Sequence, residues 1–106
     1  MVKMVFLACR RPDMDAETFR RYWRETHGPI AAKLPGLRKY VQNHSIVDPN
    51  GTPPAYDGFA EIWFDNAGAL EQALASPEGR AAMADTENFV DVERMQSFRV
   101  DEVTIV

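Results

Sequence analysis

The 106-residue sequence contains one cysteine, Cys9, which excludes an intrachain disulfide and leaves no reason to place the protein outside the cell. Long apolar runs are missing as well. The N-terminal stretch MVKMVFLAC is too short to span a bilayer and lacks the small-residue cleavage pattern of a signal peptide. A cytoplasmic protein with no membrane partner is expected. The two histidines, His27 and His44, fall in no HxH, ExxH or CxxC spacing, so no metal site is expected. The six glycines never form a Gly-rich turn between a strand and a helix, so the dinucleotide fingerprint is absent. Basic residues are also in the minority, 12 Lys and Arg against 16 Asp and Glu. Arg20, Arg21 and Arg24 cluster on one helix, but Glu17 and Glu25 interrupt them, which reads as a solvated face and not a nucleic-acid surface.

What is present fits one ordinary domain spanning residues 1–106, with 45% hydrophobic and 26% charged residues. Val2 to Cys9 is β-rich without strict alternation, as in a strand buried on both faces. Asp15 stands as an N-cap with Glu17 in the first turn, and Phe19, Tyr22, Trp23 and Thr26 then recur at helical spacing. Gly28-Pro29 is expected to end this helix, with a short turn over Pro29–Leu34. Leu37 to His44 reads as a second strand, with Arg38, Tyr40, Gln42 and His44 on one face. Asp48 to Pro54 is loop, and Tyr56 to Phe64 is a third strand on which Phe59, Glu61 and Trp63 share a face. Asp65 is expected to cap a helix running to Ala75. Ser76-Pro77 restarts a helix to about Asp85, and Met95 to Val106 closes the chain as a fourth strand.

The order βαββαβ is that of a ferredoxin-like α+β fold with a four-stranded antiparallel sheet. Both helices then cover one face of the sheet. Phe59 and Trp63 on one side and Ile62 and Phe64 on the other cannot all pack beneath them. An apolar patch of that size is rarely left in water, so a homodimer with facing sheets enclosing a cavity is expected.

The segment FRRYWRETHGPIAAKLPGLRKYVQNH, with GFAEIWF, ASPEGRAAMAD and ENFVD, resembles the EthD-domain family of the dimeric α+β barrel superfamily. The resemblance extends from about Val2 to Glu102. It implies the split βαββαβ fold, a dimer with facing sheets and a ligand cavity in each subunit, and its histidine matches His27. The family takes its name from a small protein needed beside a monooxygenase system in bacterial ether degradation. Relatives include a muconolactone methylisomerase and polyketide cyclases or dehydratases that use no cofactor, while other branches are haem-degrading or quinone-forming monooxygenases.

His27 carries two readings. In a last helical turn it stabilises orphan carbonyls. It also follows Phe19 and Trp23 at i, i+4, i+8, on the face that packs toward the sheet, where an imidazole suits proton transfer at neutral pH. Tyr40 is placed to hydrogen-bond a substrate carbonyl, and His44 to act as a second base or orient a ligand. Trp23, Gln42, Phe59, Glu61 and Trp63 are the expected binding residues; burial raises the pKa of Glu61 if its face bounds the cavity, and a salt bridge to a neighbouring Arg is the equal alternative. Asp85 and Asn88 read as a cap or a dimer contact, and Cys9 as a small hydrophobe. The resulting expectation is an acid–base enzyme without a cofactor, an isomerase, cyclase or dehydratase acting on a cyclic or aromatic carbonyl metabolite. Its rivals are an oxidoreductase or monooxygenase accessory, with haem held through a histidine as one form of it, and a non-enzymatic binder of a hydrophobic metabolite.

Overall fold

The computed structural model describes all of residues 1–106. Strand β1 (Val2–Ala8) leads to helix α1 (Ala16–Tyr22), a π-helical turn (Trp23–His27) and helix α2 (Gly28–Ala31). Strands β2 (Lys39–His44) and β3 (Gly58–Phe64) follow, then helices α3 (Ala67–Ala75) and α4 (Pro77–Thr86) and strand β4 (Gln96–Val100). The strands form one antiparallel sheet in the order β2-β3-β1-β4, the ferredoxin-like arrangement. No helix is long and apolar enough to cross a membrane.

Register sorts the side chains. Met4 lies opposite Ile62, and Ile62 opposite Tyr40; Phe6 lies opposite Ala60, and Ala60 opposite Gln42. Side chains alternate along a strand, so these residues share the face beneath the helices with Ala8 and His44. Two apolar clusters seal that face, one around Phe19, Trp23 and Phe89, the other around Phe64, Leu70 and Ala73. The opposite face carries Lys3, Val5, Phe59, Glu61, Trp63 and Phe98.

The first helix departs from expectation. Asp15 caps it as anticipated, its carboxylate accepting from Thr18 N–H at 2.7 Å. Gly28-Pro29, however, does not end it, and the helical path continues to Ala31. In an α-helix the Pro29 ring would strike the Glu25 carbonyl, four residues back. The π turn removes that conflict by shifting the ladder one residue, so that Gly28 N–H reaches the Trp23 carbonyl. His27 therefore lies within a widened helix and caps no terminus.

Smaller corrections have local causes. Asp65 does not cap α3, because Arg38 Nε and Nη2 hold its two oxygens at 3.0 and 2.8 Å, and Asn66 caps instead, accepting from Ala69 N–H at 2.9 Å. Ser76 caps α4 as expected. Strand β2 begins at Lys39 and β3 at Gly58, and β4 ends at Val100, leaving Asp101–Val106 without regular structure.

Candidate functional site

The π turn directs His27 toward α4, where Asp85 waits on the last turn. His27 Nδ1 and Asp85 Oδ2 are 2.8 Å apart, and both side chains are mostly buried, 12% and 10% exposed. The other oxygen, Oδ1, accepts from Tyr22 Oη at 2.6 Å and from Asn88 Nδ2 at 3.0 Å. Burial pushes the Asp85 carboxyl upward, but the bonds from Tyr22, Asn88 and His27 outweigh it and hold the group below its ordinary 3.8. Asp85 is thus ionised at neutral pH and can only accept. The proton between the two residues belongs on His27 Nδ1, and in the neutral ring Nε2 keeps its lone pair. Nε2 makes no hydrogen bond within the chain and is not sealed from solvent, since no fully buried side-chain nitrogen or oxygen lacks a partner.

His27 borders a cavity of about 70 Å³ between the helices and the sheet. Trp23, Tyr40, Ile62, Met83 and Phe89 are among its walls, and the lining contains no Asp, Glu, Lys or Arg. Thr86 ties its hydroxyl back to the Ala82 carbonyl at 3.0 Å, which leaves the His27 ring, the Tyr40 hydroxyl and the Trp23 indole N–H as the other polar side-chain groups of the lining. The Phe89 ring lies 4.7 Å from that of His27 and fixes its tilt. This volume is below the roughly 150 Å³ that accepts benzene in an engineered core. A ring-sized ligand must therefore displace the methionines at the wall, Met83 and Met95, which are the most adaptable side chains there.

The other expected residues fall into two groups. Gln42 and His44 lie on the cavity side of the sheet without lining the cavity: the His44 ring packs 4.4 Å from Trp23, and its Nε2 is 2.9 Å from Gln42 Oε1. Phe59, Glu61 and Trp63 lie on the opposite face of the sheet, away from His27. There Glu61 accepts from Lys3 Nζ and Asn43 Nδ2, each at 2.9 Å. Its pKa is lowered, chiefly by the Lys3 bond, so the salt-bridge reading holds, with Lys3 in place of an arginine, and the raised value does not. Trp63 lies between the Lys3 and Lys39 ammonium groups, 5.1 and 4.9 Å from its ring. The cavity beside His27 lies within one chain, under the helices. Sequence reasoning assigned Asp85 to a cap or a contact and missed its bond to His27. No three His, Cys, Asp or Glu side chains gather closely enough to hold a metal ion.

Comparison with known proteins agrees with this architecture. The EthD domain matches residues 11–93, a span that includes both His27 and Asp85. The chain belongs to the EthD family. An uncharacterised 11.0 kDa protein from the thcB-thcC intergenic region of Rhodococcus erythropolis is 28% identical over 92 residues, 87% of each chain. The crystal structure of an EthD family protein from Bacillus halodurans superposes with a TM-score of 0.82 at 27% identity, covering 97% of this chain and 99% of that one. SnoaB from Streptomyces nogalater, a cofactor-independent oxygenase, shares the fold at a TM-score of 0.69 and 13% identity, over 98% of this EthD chain and 95% of its own. Other ferredoxin-like neighbours, from Bacteroides fragilis and Thermobifida fusca, are described as dimeric.

Proposed function

We propose that this EthD protein is an acid–base enzyme that removes a proton from an uncharged cyclic or aromatic carbonyl compound and returns it elsewhere, without a cofactor. The observation that carries the reading is the hydrogen-bonded Asp85–His27 pair beside an apolar cavity free of charged side chains. His27 Nε2 takes the proton from the carbon or oxygen next to the substrate carbonyl. Asp85 holds the Nδ1–H tautomer and stabilises the imidazolium that forms. The Tyr40 hydroxyl donates to the carbonyl oxygen as it gains negative charge. A charged substrate would leave its hydration shell for a lining with no counter-charge, so an uncharged one is favoured. The working unit is proposed to be a homodimer, joined through the opposite face of the sheet.

Solvent-deuterium uptake by a panel of uncharged cyclic ketones, 2-tetralone among them, tests the chemistry. Wild type is expected to accelerate exchange, with His27→Ala and Asp85→Asn each losing about 10²–10⁴-fold. Absence of both exchange and any His27-dependent melting shift across the panel overturns the reading. Running the assay under air and under argon separates proton transfer from the oxygenation that SnoaB's description suggests for the fold; a product formed only under air makes the protein an oxygenase.

A further inference from the structure

Gln42 lies beneath the cavity and not in its lining, yet its amide touches three residues, one on the π turn and two on β2. Nε2 is 2.8 Å from the Trp23 carbonyl oxygen of the π turn and 2.7 Å from Tyr40 Oη, while Oε1 is 2.9 Å from His44 Nε2. A carbonyl oxygen only accepts, so the Trp23 contact decides which end of the amide is nitrogen. Everything else in the network follows from that single acceptor. One amide hydrogen goes to Trp23, the second goes to Tyr40, and the Tyr40 oxygen is therefore an acceptor toward Gln42. Its own hydrogen has to point elsewhere, and the cavity is the space that the Tyr40 side chain borders. At the other end Oε1 requires a proton on His44 Nε2, which removes that nitrogen as a base.

We infer that Gln42 is a positioning residue that sets the direction of the Tyr40 O–H. Read outward from the π turn, the Trp23 carbonyl orients the Gln42 amide, and the amide turns Tyr40 into a donor toward the cavity. Asp85 independently makes His27 Nε2 an acceptor. The Tyr40 hydroxyl and His27 Nε2 are then fixed as one donor and one acceptor, which suits a ligand offering a carbonyl oxygen beside an acidic C–H or O–H. A second observation supports a built arrangement. A Cβ on residue 28 would lie 3.3 Å from Gln42 Nε2 and 3.4 Å from the Trp23 oxygen, so glycine at this position leaves the amide room to reach its acceptor. The inference rests on the proposed role of Tyr40, but its test uses no substrate, so failure of either can be told from failure of the other.

The test is titration of Tyr40 by ¹³Cζ NMR in wild type, Gln42→Met and Gln42→Glu, with thermal melting to confirm that each variant is folded. Gln42→Met removes one donor to the phenol oxygen, leaving the Trp23 side chain as the other, and is expected to move the Tyr40 midpoint upward. Gln42→Glu offers an acceptor instead, draws the O–H away from the cavity and moves the midpoint higher still. A midpoint that stays at the wild-type position in both folded variants overturns the inference, because a merely structural Gln42 would change melting alone. If neither variant folds, wild type still decides. A through-hydrogen-bond coupling between Gln42 Nε2 and the Trp23 carbonyl carbon is expected, and its absence together with rapid exchange of the Gln42 amide hydrogens overturns it.

Discussion

His44, packed on Trp23, shows how one half-buried ring couples stability to acidity. Burial is the largest influence on it, Arg20 and Arg24 add to it, and its pKa falls below the ordinary 6.5. In the unfolded chain this ring takes up a proton as the pH drops through 6.5, whereas in the folded chain it stays neutral to lower pH. The unfolded state binds more protons in that interval, so stability declines as the pH falls from 6.5 toward the folded-state value and then levels off. The Asp85 contribution lies lower: it is complete above its ordinary 3.8 and fades as the pH falls through the depressed folded-state value. Denaturant midpoints measured from pH 7 to pH 3 are expected to show two limbs, and His44→Asn is expected to flatten the upper one alone. An unchanged upper limb would assign that acid sensitivity to another group.

At the scale of elements, the close approach of helix and sheet depends on Gly58. A Cβ there would lie 2.2 Å from the Asn43 carbonyl oxygen of β2 and 2.6 Å from the Trp23 ring. Neither backbone nor a fully packed indole gives way easily, so Gly58→Ala is expected to destabilise by about 1–3 kcal/mol. That corresponds to a melting shift of roughly 4–8 °C per kcal/mol for a domain of this size. The same substitution shifts Trp23 and, through its carbonyl, the network that depends on the π turn. A melting point within 2–3 °C (about the effect of a neutral surface change) would show that the strand relaxes around the new methyl.

Which of these features could be read from the sequence depended on how local their causes are. Asp15 and Ser76 are caps because of residues three positions away, and both were legible. The four strands and their order were legible for the same reason, since hydrophobic pattern and turn residues act over short spans. The π turn was not, because a ladder shifted by one residue leaves the spacing of Phe19, Trp23 and His27 unchanged. Asp85 is 58 residues from its partner His27, and no spacing rule connects them. Alternation correctly grouped Phe59, Glu61 and Trp63 on one face and Tyr40, Gln42 and His44 on another, but it could not say which face the helices cover. For Glu61 a salt bridge was legible as one of two readings, but its partner is Lys3 on the neighbouring strand and not an arginine.

Considered whole, the molecule has one sheet face closed by helices and one without such cover. On the second face Phe59 and Phe98 are 38% and 48% exposed, with Val5 and Trp63 buried beside them. Neighbours sharing the fold are described as dimeric. The expected outcome of sedimentation is a dimer for wild type and a shift toward monomer for Phe98→Asp, which sets a carboxylate on the uncovered apolar face. A wild-type monomer would mean that the exposed apolar patch serves another partner. His27 and Asp85 sit on the far side of the sheet, so ligand binding by a monomeric variant is expected to survive.

The sheet also divides the chain's two tryptophans. Trp23 borders the cavity and stacks on His44, while Trp63 lies on the other face between two ammonium groups. Their fluorescence therefore reports on separate events in one small protein. With Trp63→Phe, the remaining emission is expected to follow occupancy of the cavity by the proposed ligand and the charge on His44; with Trp23→Phe, it is expected to follow the proposed meeting of subunits. Binding and assembly can thus be watched one at a time, without attaching a dye to either surface.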